Sequence, residues 1–149
     1  MGQQFKTCSK ELSDKIIEAL DMDLTDMKIT GKRTLKLVSE LTEKEKIELF
    51  SCNRFENGKV VHEGSFLDIV SHNVNNNKVV NYLLDEAAKY ELADFQLMNQ
   101  NSSDESTALH WLASHTCPEV LTHALEVLGD NANKALAIRD KNGNTPIHH

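Results

Sequence analysis

A four-residue motif that recurs at a nearly regular interval is the feature that most constrains this fold. Thr-Ala-Leu-His at 107–110 is repeated as Thr-Pro-Ile-His at 145–148, and a weaker copy, Ser-Phe-Leu-Asp, begins at Ser65. The three copies begin 42 and 38 residues apart. A fixed period of about 20–50 residues is typical of repeat proteins, in which each unit buries its apolar face against its neighbours. We therefore expect stacked repeats and not one closed globular core.

The first two copies are each followed by the same apolar pattern. Both following blocks have apolar residues at i, i+1, i+4 and i+5, which is the spacing of one helix face. The residues are Val79, Val80, Leu83 and Leu84 in one block and Val120, Leu121, Ala124 and Leu125 in the other. Polar, turn-forming stretches precede the later two copies at 101–106 and 140–144. The pattern predicts units of two helices separated by polar turns.

Together these motifs resemble the ankyrin repeat, which opens with a polar turn containing Gly and continues with Thr-Pro-Leu-His. The stretch 140–148 is very similar to that opening, and 107–113 is a second match. The resemblance covers about residues 63–149, with units at about 63–100 and 101–139 and the start of a further repeat at 140–149. It implies an all-α ankyrin-repeat solenoid of stacked helix-turn-helix units with short β-hairpin-like turns, preceded by N-terminal helices.

The sequence departs from the family pattern in two ways. Its periods are longer than the usual length of about 33 residues, so we expect extended second helices or exits near 87–95 and 130–138. In the first unit Asp68 replaces the motif histidine and the proline is missing. The family pattern therefore does not say which hydrogen bonds hold the first unit together.

The N-terminal region, residues 1–62, contains helical patterns without a clear repeat motif. Apolar residues at 12, 16, 19 and 20 after Ser9 predict an amphipathic helix over 10–21. Thr-Glu-Lys-Glu at 42–45 fits a capping box and predicts a helix over about 43–52, with another just before it. Asn-Gly at 57–58 predicts a tight turn. The region is either a degenerate repeat beginning near Thr34 or an unrelated helical cap.

The resemblance also implies structural roles for the motif side chains. Thr107 and Thr145 are expected to cap the first helix of their units, and His110 and His148 to bridge to backbone groups of adjoining turns. Burial of aliphatic side chains is expected to stabilise the stack. The expected core residues are Leu67, Leu83, Leu84, Leu109, Ala113, Val120, Leu121, Ala124, Leu125 and Ile147.

In ankyrin proteins the turn tips and the exposed ends of the first helices meet partner proteins. A polar surface on a rigid scaffold suits recognition. The residues that occupy these positions here are His72, Asn73, Ser103, Asp104, Ser106, Trp111, Ser114, His115, Lys141, Asn142 and Asn144. Trp111 is expected either to pack between repeats or to anchor a partner.

Composition excludes several other classes of function. The net charge of −7 disfavours a nucleic-acid binder, because such affinity rests on Lys and Arg contacts to phosphates. Aromatic residues make up only 5%, which disfavours base-stacking platforms. The sequence contains no run of about 18 apolar residues, so membrane insertion is not expected. The first residues also lack the apolar core of a secretory signal peptide. Three cysteines without a CxxC pair indicate reduced thiols in an intracellular compartment.

The sequence offers little support for catalysis. Among seven histidines, His110 and His115 lie five residues apart and so do not share one helix face. GxGxxG, GxxxxGK and GxSxG motifs are absent from the sequence. We expect no enzyme activity, no cofactor and no metal site, and only the unexplained N-terminal 60 residues leave an enzymatic alternative open.

The expected function is a monomeric protein-interaction module for a partner protein of unknown identity. The alternative is an N-terminal scaffold fragment of a larger ankyrin-repeat protein, because the sequence stops within a repeat motif at His149 and the polypeptide is expected to continue. Short, divergent ankyrin chains of that kind include effectors that bacteria deliver into host cells and inhibitor-of-NF-κB-like proteins of some viruses.

Overall fold

The computed structural model describes residues 4–25, 30–73, 76–115 and 118–148, and these residues are mostly helical. The only sheet within those ranges is a two-stranded hairpin. The expectation of an all-α fold is confirmed at this level. None of the described helices is long and apolar enough to cross a membrane.

Three helices form the N-terminal region: α1 (Lys10–Thr25), α2 (Lys32–Glu40) and α3 (Glu43–Ser51). The first is longer than predicted. The predicted capping box opens α3, because the Thr42 hydroxyl accepts the Glu45 N–H at 3.1 Å and the Glu45 carboxylate accepts the Thr42 N–H at 3.0 Å. Helix formation here follows the local sequence signal.

A hairpin connects this region to the repeats. Strands β1 (Arg54–Glu56) and β2 (Val61–Glu63) pair in antiparallel register. The Asn57 side-chain oxygen accepts the backbone N–H groups of Lys59 and Val60 at 3.0 and 2.9 Å, and Gly58 has a φ of 88°. The predicted Asn-Gly turn is therefore confirmed.

Two consecutive units of three helices follow. Each has two longer helices and a short third one. The first unit is α4 (Phe66–Asn73), α5 (Asn77–Lys89) and α6 (Ala93–Met98), and the second is α7 (Ala108–His115), α8 (Pro118–Leu128) and α9 (Ala132–Leu136). The third helices are the extended exits that the long period predicts. Asn131 and Asp94 join these exits by a side-chain hydrogen bond of 2.6 Å.

Corresponding helices of the two units stack on each other. Helix α4 packs against α7, and α5 packs against α8. A 3-10 turn at Pro146–His148 packs against α7 from the other side. The connection between α4 and α5 includes residues 74–75, which lie outside the described residues.

Most of the predicted core is buried, and one member is not. Six of the residues are at most 2% exposed: Leu67, Leu83, Leu84, Leu109, Val120 and Ala124. Ala113, Leu121 and Leu125 are half-buried. The prediction for Ile147 is wrong, since it is 61% exposed. Ile147 lies in the last described turn, and no described layer packs against its outer side.

Three phenylalanines join the N-terminal region to the first unit. Phe50 of α3, Phe55 of β1 and Phe66 of α4 are fully buried. Phe66 makes edge-on contacts with both other rings at centroid distances of 6.3 Å. The core is therefore continuous from α1 to α9.

Candidate functional site

Three finger loops project from the stack on one side: the hairpin at 54–63, the loop at 100–106 and the loop at 139–144. Backbone hydrogen bonds connect each loop to the next. The Ser102 N–H donates to the Glu63 carbonyl at 3.1 Å, and the Lys141 N–H donates to the Asp104 carbonyl at 2.7 Å. These bonds hold the finger loops in a fixed lateral order.

Asn and Asp side chains fix the shape of the later loops. The Asn101 side-chain oxygen accepts the Asp104 N–H, and the Asp104 carboxylate accepts the Ser106 N–H, both at 3.0 Å. In the third loop the Asp140 carboxylate accepts the N–H groups of Asn142 and Asn144, both at 2.9 Å. Such local bonds mimic backbone turns. The shapes of the second and third finger loops are therefore fixed by hydrogen bonds within the loops themselves.

The Thr and His side chains of the second motif connect a unit to the next loop, as expected. The Thr107 N–H donates to Nδ1 of His110 at 3.1 Å, so Nε2 carries the proton that is donated to the Asn144 carbonyl at 2.9 Å. The Thr107 hydroxyl also accepts the His110 N–H at 3.3 Å. In the third motif the Thr145 hydroxyl and Nδ1 of His148 form a side-chain contact of 2.8 Å.

Asp68 performs the corresponding bridge in the first unit with different chemistry. Its N–H is capped by the Ser65 hydroxyl at 3.1 Å. One carboxylate oxygen accepts the Asn101 amide at 3.0 Å, and the other pairs with Nε2 of His72 at 3.0 Å. A carboxylate therefore replaces the motif histidine and still connects its unit to the following loop.

An aromatic stack lies at the C-terminal ends of α4 and α7. The rings of His72 and Trp111 have centroids 4.3 Å apart, and those of Trp111 and His115 are 3.8 Å apart with an angle of 13°. Trp111 is half-buried, whereas His72 and His115 are exposed. Trp111 thus packs between units and still offers part of its ring to solvent.

The stack borders a groove of about 400 Å³ between the finger loops and α4. Its wall includes four of the predicted partner-binding residues, His72, Asn73, Ser103 and Asp104. Gly64 also lines it, where a Cβ would stand 3.1 Å from both Asn101 and Asp68. The close approach of the hairpin exit to the second loop therefore favours glycine at this position.

The groove is acidic, and its charges are held in place. Hydrogen bonding to Asp68 raises the pKa of His72, against the effect of burial. Burial acts to raise the pKa of Asp104, but hydrogen bonds from Ser106 and Asn101 outweigh it and lower that pKa. Asp104 therefore stays ionised at neutral pH.

The other predicted partner-binding residues differ in accessibility. Ser114, His115, Lys141 and Asn142 are exposed, and Asn144 is half-buried. Ser114 donates its hydroxyl to the His110 carbonyl at 3.0 Å. Ser106 is only 3% exposed and accepts the Asn101 amide at 3.2 Å. Ser106 thus stabilises its loop and offers no surface to a partner in this conformation.

One group of possible metal ligands was not predicted from the sequence. Cys8, Glu48 and Cys52 place two sulfurs and a carboxylate oxygen within 4.8 Å of one another. The expectation of no metal site rested on the missing CxxC spacing. Cys8 lies 40 residues or more from both other members, so no local motif could reveal the group.

No protein-family model matches the sequence, and no curated protein or solved structure shows significant similarity to it. The function of this chain is therefore inferred from its own geometry. Its main elements are the hydrogen-bonded finger loops, the acidic groove and the stack of His72, Trp111 and His115.

Proposed function

We propose that this chain is an ankyrin-type interaction module that binds a partner polypeptide along the groove between its finger loops and α4. The observation that carries the proposal is the row of laterally hydrogen-bonded loops above a groove bordered by Trp111. The ankyrin assignment is supported by the Thr–His contact, which recurs at 107–110 and 145–148 with nearly the same distance. Recognition of this kind needs no catalytic step.

Preorganisation is the physical basis of the proposed binding. Association costs the entropy of ordering loops and side chains at the interface. Here the bonds from Ser102 to Glu63 and from Lys141 to Asp104 order the loops in advance. Most of that cost is therefore met during folding, and a partner segment encounters an already shaped surface.

The charge of the groove defines the class of partner segment. Glu63, Asp68 and Asp104 line it, and the chain as a whole carries a net charge of −7. Glu63 pairs with Arg54 and Asp68 with His72, so Asp104 is the main negative charge offered to a partner. Charge complementarity speeds association and disfavours partners of the wrong sign. We propose a segment that contains Lys or Arg, with Trp111 as the anchor because partly buried Trp residues are frequent hot spots.

We propose an intracellular location for this binding. Its support is that Cys8 and Cys52 are free although their sulfurs lie close together, since adjacent free thiols are typical of reducing compartments.

A peptide-selection experiment tests the proposal. A random peptide library is panned against the chain, and fluorescein-labelled versions of the selected peptides are measured by fluorescence polarisation. We expect selected sequences to carry net positive charge. Ser103→Arg changes an exposed residue of the groove lining, and His115→Ala removes the ring that stacks on Trp111. Each should weaken binding about tenfold or more, which corresponds to about 1.4 kcal/mol.

Thr122→Arg supplies the matched control for Ser103→Arg. Thr122 is exposed on α8, away from the groove lining, and the substitution adds the same charge. Its affinity should stay within about twofold of the unmodified chain, since surface changes far from a site have small effects. Equal weakening by both substitutions, or selection of only acidic or neutral peptides, would contradict the proposed groove.

A further inference from the structure

Three ligand-type side chains converge between the N-terminal segment and α3. Cys8 lies in the extended stretch before α1, Glu48 in the last turns of α3, and Cys52 directly after that helix. Sγ of Cys8 is 3.6 Å from Oε2 of Glu48, and all three ligand atoms lie within 4.8 Å of one another. The group is separate from the groove and plays no part in the proposed function.

The spacing of these atoms fits a tetrahedral zinc ion. Zinc binds thiolate at about 2.3 Å and carboxylate oxygen at about 2.0–2.2 Å. Tetrahedral angles then place a sulfur and an oxygen ligand about 3.5 Å apart. The distance of 3.6 Å between Cys8 and Glu48 agrees with that value. Closure of the group around an ion therefore needs only small side-chain movements.

Backbone groups already orient the ligands. The Ser9 N–H donates to Oε2 of Glu48 at 2.8 Å, and the Cys8 N–H donates to the Arg54 carbonyl at 2.8 Å. The Ser9 hydrogen bond lowers the pKa of Glu48 against the effect of burial, so the carboxylate is ionised at neutral pH. Outer-shell bonds of this kind fix ligand orientation in metal sites.

The two thiols differ in readiness to ionise. A hydrogen bond to Cys52, burial and the nearby negative charges raise the pKa of Cys8. The same hydrogen bond lowers the pKa of Cys52, with help from the charge of Lys6. Cys8 therefore carries the proton of the hydrogen bond between the two sulfurs.

We propose that Cys8, Cys52 and Glu48 bind one zinc ion, with the fourth tetrahedral position open to water. Binding converts two thiols to thiolates and releases their two protons to solvent, while Glu48 enters already ionised. A cavity of about 480 Å³, lined by Cys8, Thr7 and the hairpin turn, leads to the site. The ion would connect the N-terminal segment to α3.

The carboxylate distinguishes this site from a redox pair. Disulfide formation involves only the two sulfurs and a two-electron oxidant, and a carboxylate has no role in it. The same carboxylate is a favourable ligand for zinc. The arrangement thus favours metal binding over disulfide formation, and the experiment separates the two.

Metal titration is the first test. Reduced, chelator-treated chain carrying Cys117→Ser is titrated with Co²⁺ and then with Zn²⁺ against a chromophoric chelator, and the stoichiometry is read by native mass spectrometry. We expect one equivalent of metal and a thiolate-to-cobalt charge-transfer band. Cys52→Ser should abolish the band. Glu48→Gln should weaken zinc binding at least about tenfold, since even outer-shell changes have effects of that size.

Glu43→Gln is the matched control for Glu48→Gln, because Glu43 is exposed in the first turn of the same helix. It should leave zinc affinity unchanged. Affinity that falls equally with both substitutions would overturn the assignment of Glu48. The cobalt band must also survive in Glu43→Gln.

Alkylation of the chain with all three native cysteines tests the site without relying on variants that could fail to fold. The rates at which N-ethylmaleimide modifies Cys8 and Cys52 are followed by peptide mass spectrometry with and without one equivalent of Zn²⁺. We expect zinc to slow both rates about tenfold or more, because a thiolate bound to zinc is not free to attack the reagent. Unchanged rates, or a Cys8–Cys52 disulfide in a chain that binds no zinc when reduced, would overturn the proposal.

Discussion

Replacement of Gln96 by Leu should strongly destabilise the stack, because this side chain connects α3, α4 and α6. Gln96 lies in α6 and is fully buried. Its Oε1 accepts the Leu67 N–H in the first turn of α4 at 2.7 Å, and its Nε2 donates to the Phe50 carbonyl of α3 at 2.7 Å. The first N–H groups of a helix have no partner within the helix. Gln96 supplies one for α4.

The magnitude follows from the two groups that lose their partner. A buried donor or acceptor left unsatisfied costs about 1–3 kcal/mol. Two such groups, Leu67 N–H and Phe50 C=O, would cost about 2–6 kcal/mol. Leucine is more apolar than glutamine and offsets part of this, so we expect a loss of about 2–4 kcal/mol. For a chain of this size that corresponds to a fall of about 4–16 °C in Tm.

Urea unfolding followed by far-ultraviolet circular dichroism measures this loss. Gln4→Leu is the control, since it makes the same chemical change at an exposed residue and should stay within about 0.5 kcal/mol of the unmodified chain. A loss below about 1 kcal/mol for Gln96→Leu, with an unchanged m value, would refute the connecting role of α6.

Three further substitutions test the core, a titrating pair and a buried ion network. Leu109→Ala should cost about 2–5 kcal/mol in urea unfolding, because Leu109 is fully buried. Asp68→Asn should lower the pKa of His72, measured by NMR titration, since the hydrogen bond to Asp68 raises it. The His72–Asp68 pair therefore stabilises the fold fully below the unfolded pKa of His, and this contribution disappears as the pH rises through the raised folded value. Lys46→Met should cost about 1–3 kcal/mol because Glu86, 5% exposed, loses a partner at 2.6 Å. The hydrogen bond from Lys46 is the main cause that lowers the pKa of Glu86. The stability that ionised Glu86 contributes is therefore present above its unfolded pKa and is lost as the pH falls through its folded pKa. Lys46→Met should weaken that acid dependence in melting curves.

Contacts one period apart were the part of the fold that sequence reasoning could predict. The Thr-Ala-Leu-His motif at 107–110 predicted both the cap by Thr107 and the bridge by His110 to the third loop. Helix spacing predicted buried Leu83, Leu84 and Val120. These predictions succeeded because each repeat faces a neighbour built from the same pattern, so one motif describes both sides of the contact.

Contacts that the repeat does not duplicate could not be predicted. The long period indicated extra residues near 87–95, but nothing in the motif indicated that Gln96 would reach back to Phe50. Cys8 and Cys52 meet only because residues 6–8 lie beside the start of β1, where the Cys8 N–H donates to the Arg54 carbonyl at 2.8 Å. Such pairs close long loops and leave no local sequence signal.

The packing of the N-terminal region bears on its origin. Helix α1 packs on α4 and α3 packs on α5, and these pairings parallel those of α4 on α7 and of α5 on α8. Thr34 does not mark the start of this layer, because it lies in α2, where Asp23 accepts its N–H at 3.0 Å. The layer begins with α1 instead, and α2 is inserted between the two stacking helices. Helix α3 also packs on α6, and the degenerate repeat and the unrelated helical cap both stay predictions for this region. The segment before α1 then covers the outer edge of β1 through the parallel bridge between Thr7 and Arg54, which protects a strand edge that would otherwise be open to pairing.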